Sequence, residues 1–208
     1  SNRDGDYEIY VINADGSGLT KLTSNTTFDD REPDWSPNGD YIAFRSNRTG
    51  NDEIFKMTAA GGSPVNLTNN SAADQAPDWS PDGSEIAFQR VIGGSNTDVY
   101  RMNSDGQGQL DLTPTPTANI DSQPTWSPDG NTVAFQSNRD GDFEIFTVAR
   151  IAPPATPTVT PPSPVQRTTN TASDREPSYS PDGSRLTFTS DRDGNDEIYT
   201  ATATGGSP

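Results

Sequence analysis

The chain has 208 residues, a formal charge of −16 and neither Cys nor His. This acidity argues against nucleic acid or an anionic membrane surface as partner. Without Cys or His there is no disulfide, no thiolate nucleophile and no zinc or copper site of ordinary type. Eighteen Gly and eighteen Pro against 28% apolar residues exclude a helical protein and fit many short strands.

The predicted elements, in chain order, are all strands. Residues 1–28 supply "EIYVI" and "LTKLT", joined by the turn "NADGSG". Residues 29–72 supply four strands: one around "PDWS", "YIAFRS" after the Pro-Asn-Gly turn at 37–39, "EIF", and "VNLT". Residues 73–117 and 118–170 repeat that order with "APDWSPDGSEIAF" and "QPTWSPDGNTVAF". Residues 171–208 give three strands, through "EPSYSPDGSRLTF" and the "EIY" at 197–199. The turn glycines accept the positive φ that a tight hairpin needs. No apolar run approaches membrane-spanning length, so no membrane insertion is expected.

Trp35, Trp79, Trp126 and Tyr179 mark equivalent positions, 44, 47 and 53 residues apart. A repeat of this length with four short strands, here named a to d, suits one blade of a propeller. A lone blade cannot bury both faces, so blades must stack around an axis. Ile9, Ile54, Val99, Ile145 and Ile198 are expected to face one packing layer, beside Ala43, Ala87, Ala134 and Thr187. The four aromatic markers read as packing between blades.

The pattern D/N-x-x-P-x-W-S-P-D-G-x-x-I-A-F-x-S-x-R-x-G resembles the PD40, or WD40-like, repeats of TolB-type β-propellers. The match runs over essentially the whole chain as a single propeller of repeat units. The resemblance implies an all-β propeller of four-stranded antiparallel blades, four to five in number with the terminal blades incomplete. It also implies a secreted or periplasmic bacterial setting and a binding role.

In an a-b-c-d blade the d–a and b–c connections share one end. That end gathers Asp30, Asp74, Asp121 and Asp174 of "D-x-x-P" with Arg3, Arg48, Arg139 and Arg192 of the "S-x-R-x-G" loops. It is the candidate binding face. The simplest role for its charges is a ring of ion pairs between blades, Arg against either Asp or the Glu that opens strand c. One blade departs from this. "QRVIGGSNTDVY" has Ile92 in place of the loop Arg and Asp98 in place of Glu, and its loop offers a different surface.

A sharper reading of the same loops is calcium. Asp4, Asp6 and Glu8, then Asp140, Asp142 and Glu144, then Asp193 and Glu197 alternate oxygen ligands around a Gly-containing turn. The spacing is not that of an EF-hand, because Gly comes too early. No cofactor is required on this reading, and Ca²⁺ is the one candidate. Ser36, Ser80, Ser127 and Ser180 recur in every blade and read as turn-capping hydroxyls rather than nucleophiles.

Residues 151–164 form a Pro/Thr-rich insertion where strands c and d of one blade should meet. Such composition is extended and exposed. Asn25, Asn47, Asn66 and Asn69 open Asn-x-Ser/Thr triplets, a pattern chance supplies in so Asn- and Thr-rich a chain.

The parse gives two strands, three complete blades and three further strands, which closes neatly into neither four blades nor five. The chain opens inside a repeat, which predicts either a longer natural protein or a blade completed by a neighbouring copy. The expected function is that of a non-enzymatic extracellular, cell-surface or periplasmic module. It binds other proteins, itself included, head to tail. A carbohydrate- or peptide-binding module of a larger surface protein is the alternative.

Overall fold

The computed structural model describes residues 1–3, 5–115, 118–151 and 160–204. Its strands make five antiparallel sheets. The first pairs β1 (Tyr10–Val11) with β2 (Thr20–Lys21). The second holds β3 (Asp30–Trp35), β4 (Tyr41–Ser46), β5 (Glu53–Thr58) and β6 (Val65–Asn66) in sequence order. The third holds β7 (Ala73–Trp79), β8 (Glu85–Gly93), β9 (Asn96–Asn103) and β10 (Leu110–Asp111). The fourth holds β11 (Asp121–Trp126), β12 (Thr132–Ser137), β13 (Glu144–Ala149) and β14 (Val165–Gln166). The fifth ends the series with β15 (Asp174–Tyr179), β16 (Arg185–Ser190) and β17 (Glu197–Thr202). These are propeller blades, the first and last incomplete, as expected. The Pro/Thr-rich insertion falls between β13 and β14, and its residues 152–159 lie outside the described residues.

The inner blades bury two faces, which the period-two alternation of their central strands provides. Ala43, Ile54 and Leu67 pack forward against Trp79, Ile86, Phe88 and Met102 of the next blade. Ala87, Val99 and Leu112 meet Trp126, Val133, Phe135, Phe146 and Val148 in the same way. Ala134 and Ile145 meet Leu186, Phe188 and Ala201. The Ala at the centre of strand b leaves room for the indole, so the small residue and the large one are halves of one contact.

The terminal blades break the expected layer. Ile198 is 74% exposed, whereas its equivalents Ile54, Val99 and Ile145 are fully buried. Trp35 is 45% exposed, whereas Trp79 is 7% exposed and Trp126 5%. The reason is local. The residues that would cover Trp35 belong to strands a and b of a preceding blade, and the first sheet has only strands c and d. Nothing among the described residues packs beyond β17.

Candidate functional site

Strand a lines the axis, and each successive strand a packs against the last. Every strand a carries a β-bulge, between Arg31 and Asp34, Gln75 and Asp78, Ser122 and Thr125, and Arg175 and Ser178. The bulged residue adopts a positive φ although it is not glycine: 52° at Glu32, 50° at Ala76, 54° at Gln123 and 54° at Glu176. The bulge frees its N–H from the ladder. That N–H then donates to the preceding blade: Ala76 N to Glu32 Oε2 (2.9 Å), Gln123 N to Gln89 Oε1 (3.0 Å) and Glu176 N to Gln136 Oε1 (2.8 Å).

Beside these bonds lies an open cavity of about 330 Å³, lined by the four bulges and the prolines after them. Glu32, Asp34, Asp78 and Glu176 face it, and no Lys or Arg does. Asp34 Oδ2 accepts from Trp79 N (2.6 Å) and Asp78 Oδ2 from Trp126 N (2.7 Å), so two of the acids also lock neighbouring blades together. Burial raises the Asp34 carboxyl. Burial first, and the charge of Asp34 second, push Asp78 up to about 7. Sequence reasoning missed this site. Its members share only their place before or after the Pro of "D-x-x-P".

The Asp and Arg of the expected binding face form close pairs. Arg48 Nη2 lies 2.9 Å from Asp30, Arg139 Nη2 2.7 Å from Asp121 and Arg192 Nη2 3.1 Å from Asp174. The pairs close within a blade, not between blades, because the b–c loop folds back over the start of its own strand a. Asp30, Asp74, Asp121 and Asp174 are buried beneath the guanidinium groups, so a partner on this face meets arginine. Among the described residues Arg3 has no such aspartate. It sits 4.7 Å from the Tyr10 ring.

In the variant blade the pair survives by a different route. Arg90, at the position of Ser46, binds Asp74 through both Nε (2.7 Å) and Nη2 (2.8 Å). Ile92, at the position of Arg48, is 49% exposed on a lengthened hairpin.

What crosses between blades is a relay that starts at the strand-c glutamate. Glu8, Glu53 and Glu144 are each 1% exposed. Each accepts from a threonine hydroxyl two residues past the end of its own strand d, Thr23 (2.5 Å), Thr68 and Thr168. The glutamate also accepts from the backbone N–H of Asn25 (2.7 Å), Asn70 (2.8 Å) and Asn170 (2.6 Å). Those asparagines pass their Nδ2 on to Asp30 (3.2 Å), Asp74 (2.7 Å) and Asp174 (2.8 Å) of the next blade. The chain Glu–Asn–Asp–Arg therefore staples adjacent blades. Its signal was present in the repeat, as Thr-x-Asn after strand d.

At the interface after the variant blade the relay is broken. Asp98 is one methylene shorter than Glu, and Thr115 stands where Asn would bridge. Asp98 Oδ1, Asp121 Oδ1 and Asn119 Nδ2 are buried without a partner. Burial first, then the charges of Asp111 and Asp121, push the Asp98 carboxyl up to about 7.

The calcium expectation meets the same geometry. Glu8 and Glu144 turn into the blade interface and are committed to Thr and Asn donors. Asp140 accepts from Gln166 (2.5 Å) and Asp193 from the Tyr199 hydroxyl. Glu197 is exposed, the Asp6 Oδ2 is buried without a partner, Asp142 is half-buried, and Asp4 lies outside the described residues. Among the described residues no three acidic side chains surround a point that could hold a metal ion. A β-hairpin turn separates the residues that strand alternation would align.

The repeated serines cap their turns. Ser80 Oγ donates to Asp82 (2.7 Å) and accepts from Glu85 N (3.0 Å); Ser127 and Ser180 repeat this, and Ser36 does so with Asn38 Oδ1 in place of the Asp.

The TolB β-propeller domain (PD40) family model matches residues 1–90 and 65–153. An uncharacterised protein of Agrobacterium fabrum is 35% identical over 72 residues, which is 35% of this chain and 24% of that protein. The chain thus spans about a quarter of the length of this curated relative. Among solved structures, a TolB-type protein of Agrobacterium tumefaciens superposes with a TM-score of 0.78 at 23% identity, covering 95% of this chain and 71% of that one. TolB of Acinetobacter baumannii gives 0.77 at 20% identity, covering 95% and 47%. A puromycin-hydrolysing peptidase of Mycobacterium tuberculosis gives 0.72 at 14%, covering 96% of this chain and 34% of the peptidase. With its repeats in register and its family model matched over most of its length, the chain belongs to the TolB β-propeller (PD40) family.

Proposed function

We propose that the chain is a non-catalytic protein-interaction module, working in the periplasm or outside the cell, that receives a basic segment of a partner protein at its axis. The observation that carries this reading is the cavity of about 330 Å³ where four strands a converge, with four carboxylates and no cation among its lining residues. A concave, acidic and proline-walled surface suits an extended chain bearing Lys or Arg. The serine hydroxyls are committed to turns and the chain has no His or Cys, which supports a role in binding rather than chemistry. The test is binding of Lys/Arg-rich and Glu-rich peptides of equal length, by calorimetry at low and high salt. The basic peptide should bind alone, weaken with salt and weaken further with Gln123→Lys. Equal binding of both peptides overturns the reading.

A second reading rests on a separate observation. Ile198 is 74% exposed on a strand whose outer edge is unpaired among the described residues. A second copy could donate a strand to that edge and lay its own blade over Ile198, which would complete a four-stranded blade and join copies head to tail. Light scattering decides this. A mass that grows with concentration supports exchange, and a constant monomer mass removes it.

A further inference from the structure

Adjacent blades meet at the S-P-D-G end through a site that differs from one interface to the next. Between the third and fourth sheets it is filled. Arg150 leaves the end of β13 and reaches back to Asp82 Oδ2 (3.0 Å), Ser84 Oγ (2.8 Å) and Glu85 Oε2 (2.7 Å). Its guanidinium carbon stands 5.5 Å from the Trp126 ring centroid. Arg101 fills the space below, 2.5 Å from Glu85.

Between the second and third sheets the same site is empty of side chain. Ser104 stands where Arg150 does: the backbone N–H of each bonds the carbonyl of the neighbouring a–b turn, Ser84 and Asn131 respectively. Tyr41 replaces Glu85 and Lys56 replaces Arg101, as strand register shows. What remains is a cavity of about 170 Å³ walled by Tyr41, Trp79, Lys56, Asn38, Asp82 and Ser104 among others. Trp79 is 7% exposed and its Nε1–H has no acceptor. Trp126 also lacks an acceptor, but Arg150 covers its ring.

We propose that this cavity binds a single neutral sugar residue, such as the terminal unit of a glycan. Its volume is that of about six water molecules at ~30 Å³ each, the scale of one pyranose ring. Trp79 and the face of Tyr41 turned away from Lys56, whose Nζ lies 5.1 Å from the Tyr41 ring centroid, offer the apolar surfaces on which the C–H side of a sugar lies; Tyr41 is 40% exposed. Around them Lys56 supplies a donor, and Asp82, whose Oδ1 accepts from Ser80 and Ser84 and whose Oδ2 accepts from Arg150, keeps an Oδ2 lone pair for a hydroxyl. One cation and one anion leave the wall without net charge, and a mixed donor–acceptor rim suits hydroxyls, which both give and accept. Lys56 already donates to the Ser104 carbonyl, which fixes its ammonium at the rim.

The three indole N–H signals of the full chain test this by NMR, with hexoses, N-acetylhexosamines, deoxyhexoses and uronates added one at a time. At least one neutral sugar should shift the Trp79 signal saturably in the millimolar range and leave Trp35 and Trp126 in place. Ser104→Arg, which copies the plug of the neighbouring interface, should abolish the shift with the fold intact by circular dichroism. Tyr41→Ala should weaken it about tenfold. Three outcomes overturn the proposal: no sugar moves Trp79, only uronates move it, or Ser104→Arg binds as the parent does. A Trp79 shift produced by peptides and by no sugar overturns it as well.

Discussion

Arg90 and Arg48 hold their guanidinium groups at equivalent points of successive blades from backbone positions two residues out of register. Arg48 lies 4.8 Å from the Phe55 ring and pairs with Asp30, and Arg90 lies 4.6 Å from the Tyr100 ring and pairs with Asp74. In the other blades a serine, Ser46 in the second sheet, accepts from the arginine Nε (2.9 Å). In the variant blade the arginine has taken the serine's place. The blade needs a cation above a buried aspartate and accepts it from either position. Removing it from Asp74 leaves a fully buried carboxylate with the neutral Asn70 amide as its side-chain donor. Arg90→Ala should cost roughly 3 kcal/mol by chemical denaturation. The double variant Arg90→Ser with Ile92→Arg rebuilds the arrangement of the other blades and should recover most of that loss. No recovery would mean that the lengthened hairpin has fixed the choice of position.

This case shows how far the sequence could be read. The repeat revealed every strand, because "WSPDG" and "IAF" carry turn and alternation together. It also gathered the loop arginines and the aspartates at one end of the blades, but as partners across a blade interface and with the strand-c Glu as an equal alternative. It did not show that the pair closes inside one blade, because that depends on the b–c hairpin folding back over strand a. Nor did it show Arg90, since a cation displaced by two residues leaves the alignment looking as if the pair were lost. The axis site was illegible for a different reason. Glu32 and Glu176 recur there but Ala76 and Gln123 do not match them, so what all four share is a backbone conformation, and conformation at a bulge is not written in side-chain type. The exposure of Ile198 and Trp35 follows from what lies beside the terminal blades, which no pattern inside a repeat encodes.

The broken relay makes a prediction about pH. Asp98 titrates near 3.8 in the unfolded chain and at about 7 in the folded one, because burial and the nearby Asp111 and Asp121 disfavour its charge while Arg139 only partly offsets them. The folded state therefore takes up a proton that the unfolded state does not hold. The stability this contributes is complete below pH ~4 and is lost as pH rises through about 7. Asp98→Asn should match the parent melting temperature at or below pH ~4 and exceed it near pH 8. Equal slopes between those values would show that Asp98 is ionised in the fold. Asp98→Glu with Thr115→Asn, which restores the Glu–Asn–Asp chain of the other interfaces, should flatten the slope as well.

The bulge on the axis stores strain at a residue whose side chain is minimal. Ala76 sits at φ 50°, a region that glycine enters freely and alanine does not. Only its N–H is needed, for the bond to Glu32. Ala76→Gly should therefore stabilise the chain by about 1 kcal/mol, although glycine ordinarily loosens a strand. Melting temperatures of the two chains check this. A loss of stability instead would show that the methyl group packs in the axis cavity and that the site is tighter than its open shape suggests.

The last prediction turns the exposed terminal face into a gauge of self-association. Ile145 and Ile198 hold the same position of strand c in successive blades, yet one is fully buried and the other 74% exposed. In a monomer, Ile145→Ala should cost about 3 kcal/mol and Ile198→Ala less than about 0.5 kcal/mol. If a second copy covers the fifth sheet in solution, Ile198 becomes a core residue of the assembly. Its truncation then costs as much as that of Ile145 at high protein concentration and little at low concentration, because the covering copy dissociates on dilution. Denaturation of both variants at two concentrations separates these cases. A cost at Ile198 that is large and independent of concentration would contradict both, and would mean that an element of the same chain lies against β17.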